Sequence, residues 1–552
     1  MRNSNEKKGI AIGATVLIIA NFIVKIIGVI YKVPLANILG QDGMGYLSSA
    51  YEIYQLMLTI FASGGAVAVS KMVAESIALN HFAEVRKEVR VLFFTFFVVG
   101  GTGMLIMFFG SGLFASRVSA PEAEACMMVL SPAIFFLSLS CVFRGYYQGQ
   151  QNMKPTGLSQ VIEACFKLLI GIGFALLLKS LAYEDKYVAA GAISGTTIST
   201  MIGMAVVLCI FFSKSNRMRL KQMAEQGGTV RPTKQLLLEF AKLAVPLTLS
   251  SMVVNLTGVL DLFLIYQRLQ DAGLNNKAAN AAYGAYKGYA QTLFNLPPSI
   301  ISSLNISIIP ALSAAFVARN KKRILSVIRR AFKLVIALAM PCAVGLVVMA
   351  GPILRLLFPA RLDEVDAVIP LLQLLGVACF WTCLATLSTA TLQSVGRMNI
   401  PVYSLLIGGV VKLLANYILI GIPSVGMIGA PIGTLLCYIT IFTLNWTAFR
   451  RHVPIRVRPL PLIVKPAVAC ALMAVSCWGV QKLFASFVRE SLATLAGLCV
   501  AVVVYGVVIM LIGGIDANDV RSLPKGNLLV KVLKKVHLLR DPKSNPETEE
   551  SL

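Results

Sequence analysis

The sequence predicts an all-α polytopic membrane protein with fourteen transmembrane helices, arranged as two pseudo-symmetric six-helix bundles plus two C-terminal helices. Three observations support this fold class: the composition, the spacing of the apolar runs, and a stretch that the chain contains twice. Of the 552 residues, 57% are hydrophobic and only 14% are charged. Soluble domains carry roughly a quarter charged residues, so the composition excludes a soluble globular protein.

The apolar runs give the helix count and the domain boundaries. A span needs about twenty apolar residues, and the first run lacks a small-residue cleavage site, so we retain it as a helix. The fourteen runs lie near 10–33, 46–70, 89–110, 125–146, 158–178, 188–212, 240–266, 283–311, 331–350, 367–392, 402–420, 426–449, 462–484 and 491–513. The predicted parts are an N-terminal bundle (1–212), a cytoplasmic basic linker (213–239), a C-terminal bundle (240–450), two further helices (451–515) and a cytoplasmic tail (516–552).

The repeat supports two related bundles. Gln148 to Leu169 matches Gln393 to Leu414 at one constant offset, and both copies end in Lys-Leu-Leu. In each copy a polar turn with a proline leads into an apolar run that carries a lysine. Such internal repeats are typical of secondary transporters.

The basic residues predict the orientation in the membrane. One set of alternate loops carries roughly three times as many Lys and Arg residues as the other. This excess predicts a multi-pass protein of the bacterial plasma membrane with both termini in the cytoplasm. The net charge of +25 then reflects contact with anionic membrane lipids, and we expect no nucleic-acid partner. In the tail, residues 528–539 alternate apolar and basic residues, which fits either a helix on the inner leaflet or a solvated helix.

The sequence contains no pattern typical of a catalytic site or a metal site. The three histidines, His81, His452 and His537, fall in polar loops or the tail, and the cysteines form no CxxC pair. We therefore expect no cofactor, no metal and no enzymatic activity. Nothing in the sequence predicts an oligomer, and a monomer is the expected state.

Ionisable residues inside predicted spans are costly and are candidates for function. The candidates for a central substrate cavity are Lys25, Lys32, Glu52, Asp261 and Lys287. Lys25 and Lys32 lie about two turns apart on one helix face, with Glu52 and Asp261 as partners from other helices. Lys287 either faces the cavity or extends to the membrane surface. A cavity with excess lysine suits a diphosphate; the alternative is that these charges only hold helices together.

A second group is predicted to serve coupling or structure. Glu163 and Lys167 are four residues apart on one helix, and we expect them to neutralise each other. Lys412 and Asn416 have the same spacing. Pro297-Pro298 is the clearest position for a helix break.

Several short motifs carry a family resemblance. Asn295–Ser299 (NLPPS) and Ile308–Ser313 (IIPALS) resemble the eighth-helix signature of MurJ-type lipid II flippases. Lys25–Gly28 and Ile60–Gly64 resemble the first two helices of that group, and the glycine-rich turn Gln41–Tyr46 is similar to its Gram-positive branch. With the fourteen-helix layout, the chain resembles the stage V sporulation protein B/lipid II flippase branch of the multidrug/oligosaccharidyl-lipid/polysaccharide exporter superfamily.

The resemblance implies a function in cell-wall peptidoglycan biosynthesis or sporulation. It implies a flippase that moves an undecaprenyl-diphosphate-linked glycan from the inner to the outer leaflet, through a cavity lined by helices 1, 2, 7 and 8. The chain departs from Gram-negative members at Lys25, at Tyr31-Lys32 and at Leu58-Thr59. Sodium-binding members place carboxylate or amide ligands on helix 11, where this chain has Lys412 and Asn416.

Three functions remain open on the sequence. The first is a flippase for lipid II or for another polysaccharide repeat unit. The second is a cation-coupled multidrug exporter of the same fold, which predicts acidic cavity residues and twelve helices. The third is a membrane glycosyltransferase, for which Glu184-Asp185 and Asp363-Glu364 are the candidate carboxylates.

Overall fold

The structure is a computed structural model that describes residues 2–214, 216, 218, 230–452 and 460–514. The described residues form α-helices, short 3₁₀ turns and one π-helical segment, with no strand among them. The predicted tail helix at 528–539 and about half of the predicted linker lie outside the described residues. The protein is therefore an all-α membrane protein, as predicted.

Residues 2–211 form six helices. They are α1 (Arg2–Ala62), α2 (Gly65–Ala78), α3 (Phe82–Arg117), α4 (Glu124–Gly149), α5 (Lys154–Ser180) and α6 (Asp185–Phe211). Gly40 interrupts α1 with a φ of 67°, a left-handed conformation that glycine adopts without steric cost. The first two predicted spans, 10–33 and 46–70, fall on either side of this break.

The second part begins with α7 (Thr233–Asp271) and α8 (Asn276–Gly284). A π-helical segment (Ala285–Ala290) and a single turn, α9 (Gln291–Phe294), follow. The next helix, α10 (Leu296–Val317), has Pro297 and Pro298 in its first turn, where a missing N–H costs no hydrogen bond. The break predicted at Pro297-Pro298 is thus present two residues before Pro297, at Asn295.

Seven further helices complete the described chain. They are α11 (Lys321–Val348), α12 (Ala350–Leu357), α13 (Leu362–Ser394), α14 (Asn399–Ile420), α15 (Gly429–His452), α16 (Leu460–Ala485) and α17 (Glu490–Leu511).

Thirteen helices of the described chain are long and apolar enough to cross a membrane. The first of them, Ile19–Ala78, has 60 residues, far more than the roughly 20 that one crossing needs, and it contains the Gly40 break. The protein is therefore a multi-pass membrane protein. The count of fourteen, the division into six, six and two helices, and the cytoplasmic termini remain predictions.

The chain divides into two compact units. The first is Met1–Thr292 with Asn416–Gly429, and the second is Leu293–Ala415 with Ala430–Leu552. In the first unit α4 packs against α2, α3 and α6, and α5 packs against α1 and α6. In the second unit α13 packs against α10 and α11, and α16 pairs with α17 and contacts α11.

Close backbone packing joins α1 to α8 within the first unit. Gly45 faces the Asn280 carbonyl, and a Cβ added at Gly284 would lie 1.9 Å from the Gln41 carbonyl oxygen. Helices in membranes approach this closely only through small residues. The glycine-rich turn that the sequence showed at 41–46 is thus the α1 side of a helix contact.

Arg231, just before α7, is bound to α3 and also donates to Ser76 Oγ of α2 at 3.5 Å. Its Nε and backbone N donate to Glu84 Oε1 at 2.6 and 3.1 Å, and its guanidinium also contacts Glu88 and Glu239. Lys87 Nζ donates to the Arg231 carbonyl at 2.6 Å. The hydrogen bond to Glu84 raises the pKa of Arg231 above its ordinary value, so the guanidinium stays charged at every working pH.

We expect Arg231→Met to destabilise the protein by about 3 kcal/mol, because it leaves the buried Glu84 and Glu88 without their shared cation. Arg231→Lys should recover only part of this loss, since an ammonium cannot reach three carboxylates as a planar fork does. Thermal unfolding of the detergent-purified protein measures the effect. Lys234→Ala, an exposed change nearby, is the control, and an equal melting temperature in both variants would contradict the assignment.

Candidate functional site

Four ionisable side chains lie together in the first unit. We call Lys32 and Glu52 of α1, Lys167 of α5 and Lys287 of the π-helical segment the lysine cluster. Lys167, Lys287 and Glu52 are all close enough to act electrostatically on Lys32. The chain thus brings residues more than 250 positions apart into one polar site, as expected for ionisable groups that lipid cannot solvate.

Lys287 is paired with Glu52. Lys287 Nζ donates to Glu52 Oε1 at 2.7 Å, and the two side chains are 12% and 26% exposed. The same ammonium lies 5.6 Å from the centre of the Tyr283 ring. Lys287 is therefore partnered by Glu52, and its place in a central cavity remains a prediction.

Lys32 and Lys167 have no carboxylate partner within ion-pair distance among the described residues. The Lys32 side chain is exposed, and Lys167 Nζ lies 5.4 Å from the Tyr31 ring centre and 5.0 Å from the Tyr51 ring centre. An ammonium over an aromatic face is attracted by the ring quadrupole. Three lysines thus face one carboxylate, which leaves the cluster with an excess of two positive charges.

The prediction that Glu163 neutralises Lys167 is wrong. Glu163 Oε2 accepts from Arg144 of α4 at 2.8 Å, and Arg144 Nε donates to Ser159 at 3.2 Å. The spacing argument considered only residues of α5. Arg144 of α4 extends its side chain to Glu163 and pairs with it. Lys167 contacts the rings of Tyr31 and Tyr51 instead of Glu163.

Asp261 and Asn416 form a second polar contact. Asn416 Nδ2 donates to Asp261 Oδ1, and both residues are buried. Lys412 is half-buried on α14 in the second unit, one turn before Asn416. Lys25 lies on α1 two turns before Lys32, and its side chain is exposed.

The tyrosines were missed as site residues. Tyr31 and Tyr51 hold Lys167, and Tyr283 packs against Tyr266 at 5.4 Å between ring centres. Tyr266 in turn donates to Asn280 Oδ1 at 2.8 Å. For Tyr283 the signal was present in the sequence, because the run at 281–290 contains three tyrosines beside Lys287.

The cluster is suited to binding an anion. Ammonium groups bind phosphate oxygens through charge-assisted hydrogen bonds, and here two of them are not neutralised by a carboxylate. No group of three metal-ligating side chains occurs in the part of the chain that the structure describes.

Family models and curated relatives agree on what the chain is similar to. The model described as "Polysaccharide biosynthesis protein" matches residues 10–316, and the MatE model matches residues 280–418. Stage V sporulation protein B of Bacillus subtilis (strain 168) is 24% identical over 94% of this chain and 98% of its own length. Lipid II flippase MurJ of the same organism is 23% identical over 80% of this chain and 82% of its own.

The fold is also similar to a solved structure. Lipid II flippase MurJ in an inward closed conformation superposes with a TM-score of 0.67 at 14% sequence identity, over 89% of this chain and 97% of that one. At this identity the likeness shows the fold. The first family model covers more than half of the chain, and the resemblance predicted from the sequence is confirmed. The chain therefore belongs to the polysaccharide biosynthesis protein family, in the stage V sporulation protein B/MurJ branch of the multidrug/oligosaccharidyl-lipid/polysaccharide exporter superfamily, whose members are transporters and not enzymes.

Proposed function

We propose that the protein is a flippase that moves an undecaprenyl-diphosphate-linked oligosaccharide, specifically the peptidoglycan precursor lipid II, from the inner to the outer leaflet by alternating access. The main observation behind this proposal is the lysine cluster, in which Lys32 and Lys167 are not neutralised by a carboxylate. Lysine excess in a polar site within membrane helices fits an anionic headgroup such as a diphosphate. The similarity to lipid II flippase MurJ of Bacillus subtilis supports the substrate class.

The other parts of the proposal follow the sequence. We place the protein in the bacterial plasma membrane with both termini in the cytoplasm, because the basic residues are concentrated in one set of loops. We keep the division into a bundle at 1–212, a bundle at 240–450 and a helix pair within 451–515. Lys25 and Asp261 remain proposed cavity residues, and Asn416 and Lys412 remain proposed coupling or structural residues.

The MatE match keeps a multidrug exporter as the alternative. A cationic drug requires acidic cavity residues, whereas the cluster has three lysines and one carboxylate. The charge of the site therefore favours an anionic substrate over a cationic drug. Another undecaprenyl-linked repeat unit would satisfy the same charge and differs only in the glycan.

Complementation tests the proposal. A cell depleted of its own lipid II flippases and supplied with this chain should regain growth and present lipid II at the outer leaflet, measured by labelling of that leaflet. Rescue of growth without outer-leaflet lipid II would contradict the flippase function. Failure despite verified membrane expression would exclude lipid II and leave another undecaprenyl-linked glycan as the substrate.

A further inference from the structure

Lys167 differs from the other lysines of the cluster in what holds it. It lies on α5, and its ammonium is bracketed by the rings of Tyr31 and Tyr51 at 5.4 and 5.0 Å. The nearest acidic residue on its own helix, Glu163, is paired with Arg144 at 2.8 Å. Lys167 is therefore positioned by aromatic faces and not by a carboxylate.

The two tyrosines form a rigid support. The Tyr31 hydroxyl donates to the Ala192 carbonyl at 3.1 Å and its side chain is buried. Tyr51 packs against Tyr54 with 5.5 Å between ring centres. Because the tyrosines already hold the ammonium in place, Lys167 loses less side-chain entropy on binding an anion than an unrestrained lysine would.

An aromatic support leaves the charge of the lysine available. In the Lys287–Glu52 pair the carboxylate already satisfies the ammonium, so an incoming anion must compete with Glu52. The cation–π contact contributes about 0.5–2 kcal/mol but does not cancel the positive charge. Lys167 can therefore donate a hydrogen bond to a phosphate oxygen while it keeps its tyrosine contacts.

Lys32 and Lys167 also repel each other. Lys167 is one of the charged groups that act on Lys32, and among the described residues no carboxylate forms an ion pair with either of them. Like charges in a partly buried site raise the free energy of the empty protein. An anion between the two ammonium groups would remove this repulsion, so the arrangement favours the bound state.

We propose that Lys167 is a headgroup-binding residue, and that its ammonium, together with that of Lys32, binds the diphosphate oxygens of the lipid-linked substrate while Tyr31 and Tyr51 hold it in place. This inference rests on the proposed function and adds α5 to the helices that bind substrate. Lys287 then stays with Glu52 and is not the principal diphosphate ligand.

The test is a binding measurement on the full-length protein in phosphatidylcholine nanodiscs. The probe is undecaprenyl diphosphate, with inorganic pyrophosphate as a competitor that carries the phosphate chemistry without the lipid. We expect Lys167→Gln to weaken binding of both probes about tenfold or more, as for loss of a charge-assisted hydrogen bond. Lys167→Arg should retain most of the binding, since it keeps the charge.

Two further variants separate binding from folding. Lys179→Gln removes an exposed lysine of the same helix that pairs with Asp185, and it should bind like the wild type. Tyr51→Phe keeps an aromatic face and should bind normally, whereas Tyr51→Leu should weaken binding with little change in melting temperature. If Lys167→Gln does not fold, the test is the comparison of binding between Tyr51→Leu and Tyr51→Phe.

The outcomes are distinct. If the wild type binds undecaprenyl diphosphate and Lys167→Gln binds it as tightly as Lys179→Gln does, the role of Lys167 is overturned and the proposed function stands. If Tyr51→Leu and Tyr51→Phe bind equally, the aromatic support is overturned. If the wild type binds neither probe, the proposed function itself fails, and the inference fails with it.

Discussion

Gly284→Ala should be the most damaging small substitution for folding. The added Cβ would lie 1.9 Å from the Gln41 carbonyl oxygen and 2.5 Å from the Gly45 backbone nitrogen. Both neighbours are backbone atoms, so no side chain can turn aside and α8 must move away from α1. Overpacking typically costs about 1–3 kcal/mol, and we expect the upper end or more, measured as a lower melting temperature and a lower yield from membranes.

Gly28→Ala is the matched control for this change. Gly28 also lies on a membrane helix, α1, and a Cβ there would have no atom within 4 Å. Alanine is the better helix former by about 1 kcal/mol, so Gly28→Ala should be neutral or stabilising. Equal melting temperatures for the two alanine variants would show that α1 and α8 do not pack through Gly284.

Lys32→Glu should have the largest effect on transport. The change converts the lysine cluster from three lysines and one glutamate to two of each, so the excess positive charge disappears. It also places a carboxylate where the proposed diphosphate binds. Losing a hydrogen bond between charged groups costs about 1.5–3 kcal/mol, which corresponds to roughly 10- to 150-fold in affinity. The new carboxylate also repels the diphosphate, so we expect growth rescue and outer-leaflet lipid II to be lost.

Two controls accompany this variant. Lys32→Arg keeps the charge and should retain most of the transport. Lys277→Glu makes the same charge change at an exposed position of α8 and should complement normally. Growth rescue by Lys32→Glu at wild-type protein level would remove the lysine cluster from the transport mechanism.

The sequence predicted the membrane class, the family and the residues that carry charge in the site. Lys32, Glu52 and Lys287 were identifiable because an ionisable residue in an apolar run is conspicuous. Their pairing was not, since α1 and the π-helical segment are distant in the chain and periodicity describes one helix at a time. The Glu163 prediction failed for this reason: its partner, Arg144, lies on another helix, near the end of a predicted span.

The aromatic part of the site was harder to predict. Tyr31 and Tyr51 are ordinary residues for membrane helices, and only their distances to Lys167 identify them as its support. The close packing of Gly45 and Gly284 was likewise visible only as a glycine-rich turn. The sequence shows which residues are energetically costly to place in lipid. The three-dimensional contacts show which neighbours offset that cost.

The π-helical segment at Ala285–Ala290 has a consequence for comparing this chain with its relatives. A π turn holds one residue more than an α turn, and one residue corresponds to about 100° around a helix. A homologue with a regular α-helix here would direct the residue aligned with Lys287 toward a different neighbour. Sequence alignments across this helix therefore need a one-residue gap before residue equivalences are assigned, and a helical wheel drawn from α8 through to α10 would place Lys287 on the wrong face.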